Sequence, residues 1–429
     1  MNAPVLIIGG GPAGMALALA LWRNGVMSRI VDIRPRGAAK LDARILALSH
    51  GARLILEALG VWQDIPHTPI ETIHVSHAGG LGRTLISADE EGVPALGYVL
   101  SAGALATALD AAISRVGIDY AEKTPAPATT DALLTVHAEG RIDDGADLVV
   151  RDYGQHAVIC LAKGVASHGH IAWERFTPEG PVALLPFNPD RPLGREAIPR
   201  RGRGDLRPRD ESIAVTIGEE RGREGPARRP ETPAQSRMTR FAHAHPLTGR
   251  SNGQSGFNDG YAVVLTCPAA DSERIAALGD ADFLALLQMR FGSRLALAGV
   301  GPRQVYPLGL RMRRQVIAER AVWIGNAAQT LHPVAGQGFN LALRDIAELA
   351  DTLRDAADPG DPELLSRYAR GRRLDRLATA TFTGTLVRLF SNDFGPLKHL
   401  RGAGLLALDL CPPARSFLAR RMMFGARGW

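Results

Sequence analysis

The chain has 429 residues, 45% of them hydrophobic, with a mean hydropathy of −0.03. That length allows two or three domains with a sizeable core, and no apolar run approaches the ~20 residues of a membrane span. The net charge of +6 does not describe a nucleic-acid-binding face, because residues 191–250 hold 14 arginines, no lysine and 8 acids, which accounts for the whole excess. The three cysteines, Cys160, Cys267 and Cys411, are far apart and form no CxxC. They exclude a disulfide framework and a zinc site, and they suit a reducing cytosol.

The N-terminus, MNAPVLIIGGGPAGMALALALW, lacks the basic n-region of a signal peptide. It reads instead as a nucleotide fingerprint. Residues 5–8 are a continuous apolar run, as in a buried parallel strand. Gly9, Gly11 and Gly14 follow with GxGxxG spacing, and an Ala/Leu-rich helix over 15–22 stops near Asn24-Gly25. The first glycine permits the tight turn, the second lets a pyrophosphate approach the backbone, and the third lets helix and strand pack closely. The helix N-terminus then faces phosphate charge. A second apolar strand over 28–33 carries Asp32, placed to bind a ribose diol.

Residues 41–62, LDARILALSHGARLILEALGVW, put Arg44 soon after that strand and ahead of a helix with a Leu/Ile stripe. By itself Arg44 reads as a cation at a helix start. Further on, strands are predicted over 157–161, 171–176, 181–187 and 261–267, in a mixed sheet. Between the last two, residues 189–259 are rich in Arg, Pro and Gly and read as a disordered excursion, with SIAVTIG (212–218) a candidate stray strand. Aromatics are almost absent there, which disfavours RNA binding. Tyr306, Pro307 and Leu308 are candidate pocket-lining residues.

Residues 321–324 predict a strand ending at Gly325. His332-Pro333 makes a rigid loop, Gly336-Gln337-Gly338 a tight turn, and 340–353 a helix. Such a helix N-terminus would stabilise negative charge on a ligand ring. Asn326 can accept from a hydroxyl and donate to a phosphate oxygen; the plainer reading of Asn326 and Gln329 is turn-forming polarity. His332 beside a proline reads as a loop hydrogen-bonder. No second GxGxxG unit follows, so a separate nicotinamide domain is not expected. Residues 379–424 mix apolar residues with Arg388, Lys398, Arg401, Arg415, Arg420 and Arg421. They read either as helices packed on the substrate domain or as an amphipathic surface for a bilayer.

The opening fingerprint and residues 41–62 resemble the FAD-dependent aromatic hydroxylases of the para-hydroxybenzoate hydroxylase type. GNAAQTLHP, AGQGFNL, RFTPEGPVALLP, GPRQVYPL and RRLD resemble its ubiquinone-biosynthesis branch, which acts on 2-polyprenyl-6-methoxyphenol. The resemblance spans nearly the whole chain. In most of the family an Asp stands at 326 and a His at 329, so the Asn and Gln here read as a mark of the branch.

The resemblance implies an α/β fold. A discontinuous Rossmann-like FAD-binding domain (1–75, 101–151 and 311–378) would join a mixed-sheet substrate domain (76–100 and 152–310) and a helical C-terminal tail (379–429). It also implies FAD as cofactor and NAD(P)H as co-substrate, with a flavin C4a-hydroperoxide attacked by a polyprenyl phenol. The residues expected to hold FAD are Gly9, Gly11, Pro12, Ala13, Gly14, Asp32, Arg44, Gly325, Asn326, Pro333, Gly336, Gln337, Gly338, Phe339 and Asn340. No catalytic residue and no metal ligand is assigned. The expected partners are the phenol and O2, with no nucleic acid. The expected location is cytoplasmic, with peripheral attachment to the inner membrane or to a ubiquinone-biosynthesis complex as its extension.

One family feature reads as lost. An Asp-Gly turn that touches FAD normally follows the strand over 148–150, and here Val150 runs directly into RDYGQHAVIC. That loss motivates a competing expectation, a non-catalytic scaffold or assembly subunit; another flavin oxidoreductase of related fold, such as a prenyl reductase, is a separate alternative.

Overall fold

The computed structural model describes residues 3–79, 82–143, 147–188, 259–331, 336–390 and 395–425. Nearly all of the predicted 189–259 segment, including SIAVTIG, lies outside them, as do His332 and Pro333.

A six-stranded sheet carries the nucleotide fingerprint. Its order is Ile317–Ala318, Ala321–Trp323, Leu134–His137, Val5–Ile8, Ser28–Asp32 and Asp119–Glu122. The last five are mutually parallel. Val5–Ile8 is buried along its whole length, as its unbroken apolar run requires. The helices Pro12–Arg23, Ala102–Val116 and Gln337–Leu353 supply Leu17, Leu21, Leu105, Leu109, Leu343 and Ile346 to one continuous core with it.

A second sheet follows the order Gln329–Thr330, Gln304–Arg313, Leu148–Gly164, Gly260–Pro268, Gly180–Phe187, Ile171–Thr177, Thr72–His77 and Arg83–Ser87, with Leu297–Val300 also on Leu148–Gly164. It is mixed: Ile171–Thr177 runs parallel to Thr72–His77 while the other pairs are antiparallel. One face is sealed by the helix Asp280–Phe291, whose Phe283, Leu287 and Phe291 pack on Val158, Leu184 and Val263. Phe187 pairs with Gly260, so the chain leaves and re-enters this sheet at adjacent ends of two antiparallel neighbours.

Two expectations change. Residues 41–62 are not simply an Arg followed by a helix. Ile45–Ser49 is a strand paired antiparallel with Gly97–Ser101, and Ser49 then caps the helix His50–Ala58 by accepting from the Ala52 N–H at 3.2 Å. Arg44 therefore precedes a strand. The strand over 148–150 is not the end of a nucleotide-binding element either. It is the start of the 17-residue strand Leu148–Gly164 in the second sheet, bent by an irregularity between Asp152 and Gln155.

The strand that does lie in the nucleotide sheet, between Val5–Ile8 and Ala321–Trp323, is Leu134–His137. It is followed by Ala138-Glu139-Gly140. The Ala138 N–H donates to the Ile8 carbonyl at 2.7 Å, and Gly140 has φ +81°. An acid-glycine turn is thus present beside the fingerprint, one strand earlier than expected and with Glu in place of Asp.

The C-terminal region is helical: Pro362–Phe390, Gly395–Leu410 and Pro412–Phe424. Leu405 packs on Phe176, and Met423 with Ala419 packs on Ile86 and Leu96. These contacts favour the packed-helix reading for those faces.

Candidate active site

The fingerprint turn is fixed by groups only glycine can accommodate. Gly9 has φ +107°, and a side chain there would reach within 2.5 Å of the Ala138 carbonyl oxygen. A Cβ on Gly14 would overlap the Gly9 carbonyl oxygen, which is the close helix–strand approach expected of a third glycine. Gly11 differs: a Cβ there would meet only the tip of Arg34, at 3.8 Å. Gly11 caps the helix Pro12–Arg23 with no side-chain hydrogen bond, and Pro12 and Ala13 form its first turn. The first-turn N–H groups have no partners within the helix, so they face open space where an anion can dock.

Asp32 is buried and accepts from the Gly10 N–H at 2.7 Å and from the Arg34 N–H at 2.8 Å. The Arg34 guanidinium adds Nη2–Oδ2 at 2.9 Å and Nε–Oδ1 at 3.2 Å. Burial works against its charge, but the hydrogen bonds from Arg34 and Gly10 outweigh it and hold the carboxyl below the usual range. Arg34 is half exposed, so it can swing away when a ribose diol takes its place. Arg44 is likewise paired, with Nη2–Oδ2 at 2.6 Å to Asp42, and this partner raises its pKa. Arg34 lies at the Gly11 turn, whereas Arg44 faces Tyr306 of the second sheet, and each is held by a local acid.

The second half of the cradle arrives from residues 325–353. Gly325, at φ +57°, is wedged between Ala13 and Ala342, with an added Cβ 3.3 Å and 3.8 Å from theirs. This joins the two glycine-rich turns at one place. Asn326 is exposed and makes no side-chain hydrogen bond among the described residues. The helix Gln337–Leu353 starts at Gly336, φ +61°, again without a side-chain cap, so Gln337 and Gly338 are its first turn rather than part of a loop. Gln337 is buried, and Phe339 packs against the nucleotide-domain core. A Cβ on Gly338 would meet nothing within 4 Å, which leaves the helix N-terminus open.

Asn340 is a clamp. Its Oδ1 accepts from the Ser49 N–H at 2.9 Å, and its Nδ2 donates to the carbonyls of Gly336 at 2.9 Å and Ala47 at 3.2 Å. It acts on the cradle by tying one helix start to another. We expect Gly338→Glu to leave the fold intact, because the position is open, and to abolish flavin retention through bulk and charge at the helix start. Flavin absorbance of the purified variant measures this, and unchanged FAD content would remove this turn from the cofactor site.

Gln329 also proves structural. It is buried, its Nε2 donates to Asp345 Oδ2 at 2.7 Å, and its Oε1 accepts from Arg376 Nε at 2.7 Å. An amide donates to the acid and accepts from the base at once; a carboxylate could not donate, and an imidazolium could not accept. The network continues: Arg372 donates Nε to Asp345 Oδ1 at 2.6 Å and Nη2 to Asp375 Oδ2 at 2.8 Å, which also accepts from Arg344 Nε at 2.8 Å. Burial opposes the Asp375 charge, but Arg344 and Arg372 more than offset it.

Facing away from the helix layer, the second sheet presents a row that the core clusters leave partly open: Val75, Glu174, Ala183, Val264, Ile159 and Gln304, aligned by strand register. Five strands separated by ~4.8 Å make the stretch from Glu174 to Gln304 about 19 Å long. Two clusters border it on either side of Glu174: that of Ile70, Val99 and Phe187, reached through Ala172, and that of Phe176 with Leu405. Tyr306, expected to line a pocket, is half-buried on this face and donates to Gln304 Oε1 at 2.5 Å. Burial raises its pKa. Glu174 makes no hydrogen bond or ion pair among the described residues, and burial alone pushes its pKa up to about 7.

Sequence reasoning passed over Glu139, Glu174 and the Asp345 network. An apolar run ending in Ala138-Glu139-Gly140 was a usable signal for the first. An acid among apolar residues at period two was one for the second.

Fold and cradle together define a dinucleotide-dependent oxidoreductase whose nucleotide sheet is joined to a second, mixed sheet. The FAD binding domain family matches residues 2–151 and 230–383. Ubiquinone hydroxylase UbiL of Rhodospirillum rubrum is 30% identical over 98% of this chain and 89% of its own length. The 3-demethoxyubiquinol 3-hydroxylase of Escherichia coli is 23% identical, covering 94% of each. The solved structure of PqsL, a probable FAD-dependent monooxygenase from Pseudomonas aeruginosa, superposes with a TM-score of 0.65 over 94% of this chain and 99% of its own, at 16% identity, and so shares the fold. The chain belongs to the FAD binding domain family. It is a flavoprotein monooxygenase whose cofactor is FAD, and NAD(P)H is the co-substrate typical of the class.

The residues fit that cofactor. Gly11 leaves the phosphate approach clear, Asp32 is an ionised acceptor at the end of the second strand, and two uncapped helix starts offer N–H groups.

Proposed function

We propose that the protein hydroxylates a polyprenylated phenol, of the 2-polyprenyl-6-methoxyphenol type, in ubiquinone biosynthesis. The observation that carries this reading is the partly open row from Val75 to Gln304. It is long, apolar and narrow in chemistry, with Glu174 near one end and Gln304 with Tyr306 at the other. An elongated apolar substrate with one polar ring matches the length and the aliphatic surface of that row. The ubiquinone-hydroxylase names of the relatives support the same reading.

Bound FAD supplies the redox chemistry, taking electrons from NAD(P)H and passing oxygen to the substrate. The protein holds the pyrophosphate at the Gly11 turn, the ribose at Asp32 and the flavin end at the Gly325 and Gly338 turns. Asn340 and Ser49 fix the distance between those turns. Aliphatic side chains on the sheet keep water from the reacting ring.

We assign residues 1–71, 101–147 and 314–378 to cofactor binding, with the boundaries moved to the strand ends, and Leu148–Gly164 with its neighbouring strands to the substrate. Exposed Leu406, Leu410 and Phe417 on the last two helices suit peripheral contact with the membrane that would hold such a substrate. Among the described residues no helix is long and apolar enough to cross it.

The test is turnover by FAD-loaded protein with NAD(P)H, O2 and a short-chain 2-prenyl-6-methoxyphenol, with products read by mass spectrometry. A product carrying one added oxygen atom, drawn from isotopically labelled O2, supports the reading. NAD(P)H oxidation that yields only peroxide, or saturation of a prenyl double bond, would overturn it.

A further inference from the structure

We propose that Glu174 is the group that receives the substrate's phenolic hydroxyl and removes its proton. The inference rests on the phenol reading above and adds a catalytic residue to it.

The position follows from register. Glu174 lies on Ile171–Thr177 between Ala172 and Phe176, which by strand alternation share its face. Ala172 belongs to the cluster with Ile70, Val99 and Phe187, and Phe176 to the cluster with Leu405. Glu174 therefore stands in the gap between two covered patches. Its cross-strand neighbours are Ala183 and Val75, both apolar and both only partly covered.

A carboxyl set among such neighbours, with no hydrogen bond or ion pair among the described residues, is costly for folding. Trp173 and Arg175 on either side of it point to the opposite face, where Trp173 meets Phe291 and Arg175 lies against Gly292. The other titratable groups on or facing the Glu174 face are His77 beside Arg401, exposed Lys163, and, across the sheet, Tyr306 with Arg44 and Asp42 near it. None shifts Glu174; burial is the sole cause of its raised pKa, about 7.

That environment suits a base for a phenol. An ordinary glutamate, near 4.3, is a poor match to a phenol near 10, and a carboxyl at about 7 narrows the gap to roughly three units. In the step, the phenol O–H bond breaks, its electron pair stays on oxygen, and the proton moves to a Glu174 carboxylate oxygen. The resulting acid donates a hydrogen bond back to the phenolate, whose ring is the more electron-rich partner for oxygen transfer. The proton leaves to solvent when product departs.

The sign of the pH dependence is set by the base form. Glu174 accepts a proton only when ionised, so activity should rise as pH increases through about 7.

The experiment compares wild type, Glu174→Gln and Glu174→Asp, each loaded with FAD, with 2-methoxy-6-prenylphenol as probe. Ultraviolet difference spectra report whether the bound phenol is ionised, and turnover is followed against pH. FAD content checks folding. Wild type should bind the phenol un-ionised, as a gap of roughly three units requires, and show a rise in rate centred near 7. Glu174→Gln should bind the phenol un-ionised, lose about 100-fold in rate and lose that pH limb, and Glu174→Asp should recover part of both.

An unchanged rate and pH profile in Glu174→Gln would overturn the role of Glu174 while leaving the phenol reading intact. If wild type neither binds nor hydroxylates the probe, both fall.

Discussion

Asp345→Ala should destabilise the protein by about 3–5 kcal/mol, the cost of breaking a buried ion pair by removing one partner. Asp345 is 1% exposed and accepts from both Gln329 and Arg372. Without it, Arg372 and Arg376, themselves 3% and 7% exposed, keep one carboxylate, Asp375 on Arg372, while Arg376 keeps the Gln329 Oε1 and the Arg313 carbonyl oxygen, both neutral. Thermal and urea unfolding of the FAD-free protein measure the effect. A midpoint equal to wild type would mean the network contributes nothing net. The pH dependence has a definite sign. Asp375 has a depressed pKa, so its contribution is present above the ordinary carboxylate range and is lost as pH falls through the depressed value.

The second large effect separates two glycines of the same motif. Gly14→Val should yield protein that binds no FAD and is destabilised by about 1–3 kcal/mol. The new side chain would occupy the space of the Gly9 carbonyl, and Gly9 cannot retreat: its N–H is bonded to the Val31 carbonyl at 2.8 Å and its α-carbon lies against Ala138. Gly11→Ala should behave oppositely in stability. Its methyl group meets only Arg34, so folding should stay within about 0.5 kcal/mol of wild type while FAD affinity falls, because the methyl stands in the phosphate approach. Equal flavin affinities for Gly11→Ala and wild type, by fluorescence titration, would contradict this account of the turn.

Sequence conveyed the cofactor half well because local rules dominate there. A buried strand, three spaced glycines and an uncapped helix each leave a signal within a few residues, and Gly9, Gly11, Gly14 and Asp32 lie together as their spacing implies. Arg44 and Asn340 were harder. Arg44 is next to a strand set by pairing with distant Gly97–Ser101, and Asn340 takes its partners from Ala47 and Ser49, nearly 300 residues away. The acid-glycine turn was misplaced for a similar reason. Two short apolar runs, 133–136 and 148–150, compete for one slot beside Val5–Ile8, and only the assembled sheet shows that Leu134–His137 fills it. Gln329 read as turn-forming polarity because its acid and base partners, Asp345 and Arg376, come from separate helices.

The pairing of Phe187 with Gly260 bears on how this chain could change over generations. The ends of two antiparallel neighbours form a seam at which length can grow almost freely, since each doubling of a loop adds only about 0.6 kcal/mol of closure cost. Selection on the sheet itself need not register what is spliced there. The same seam is thus a ready attachment point for new sequence, natural or introduced, on a catalytic scaffold whose working parts lie in other segments.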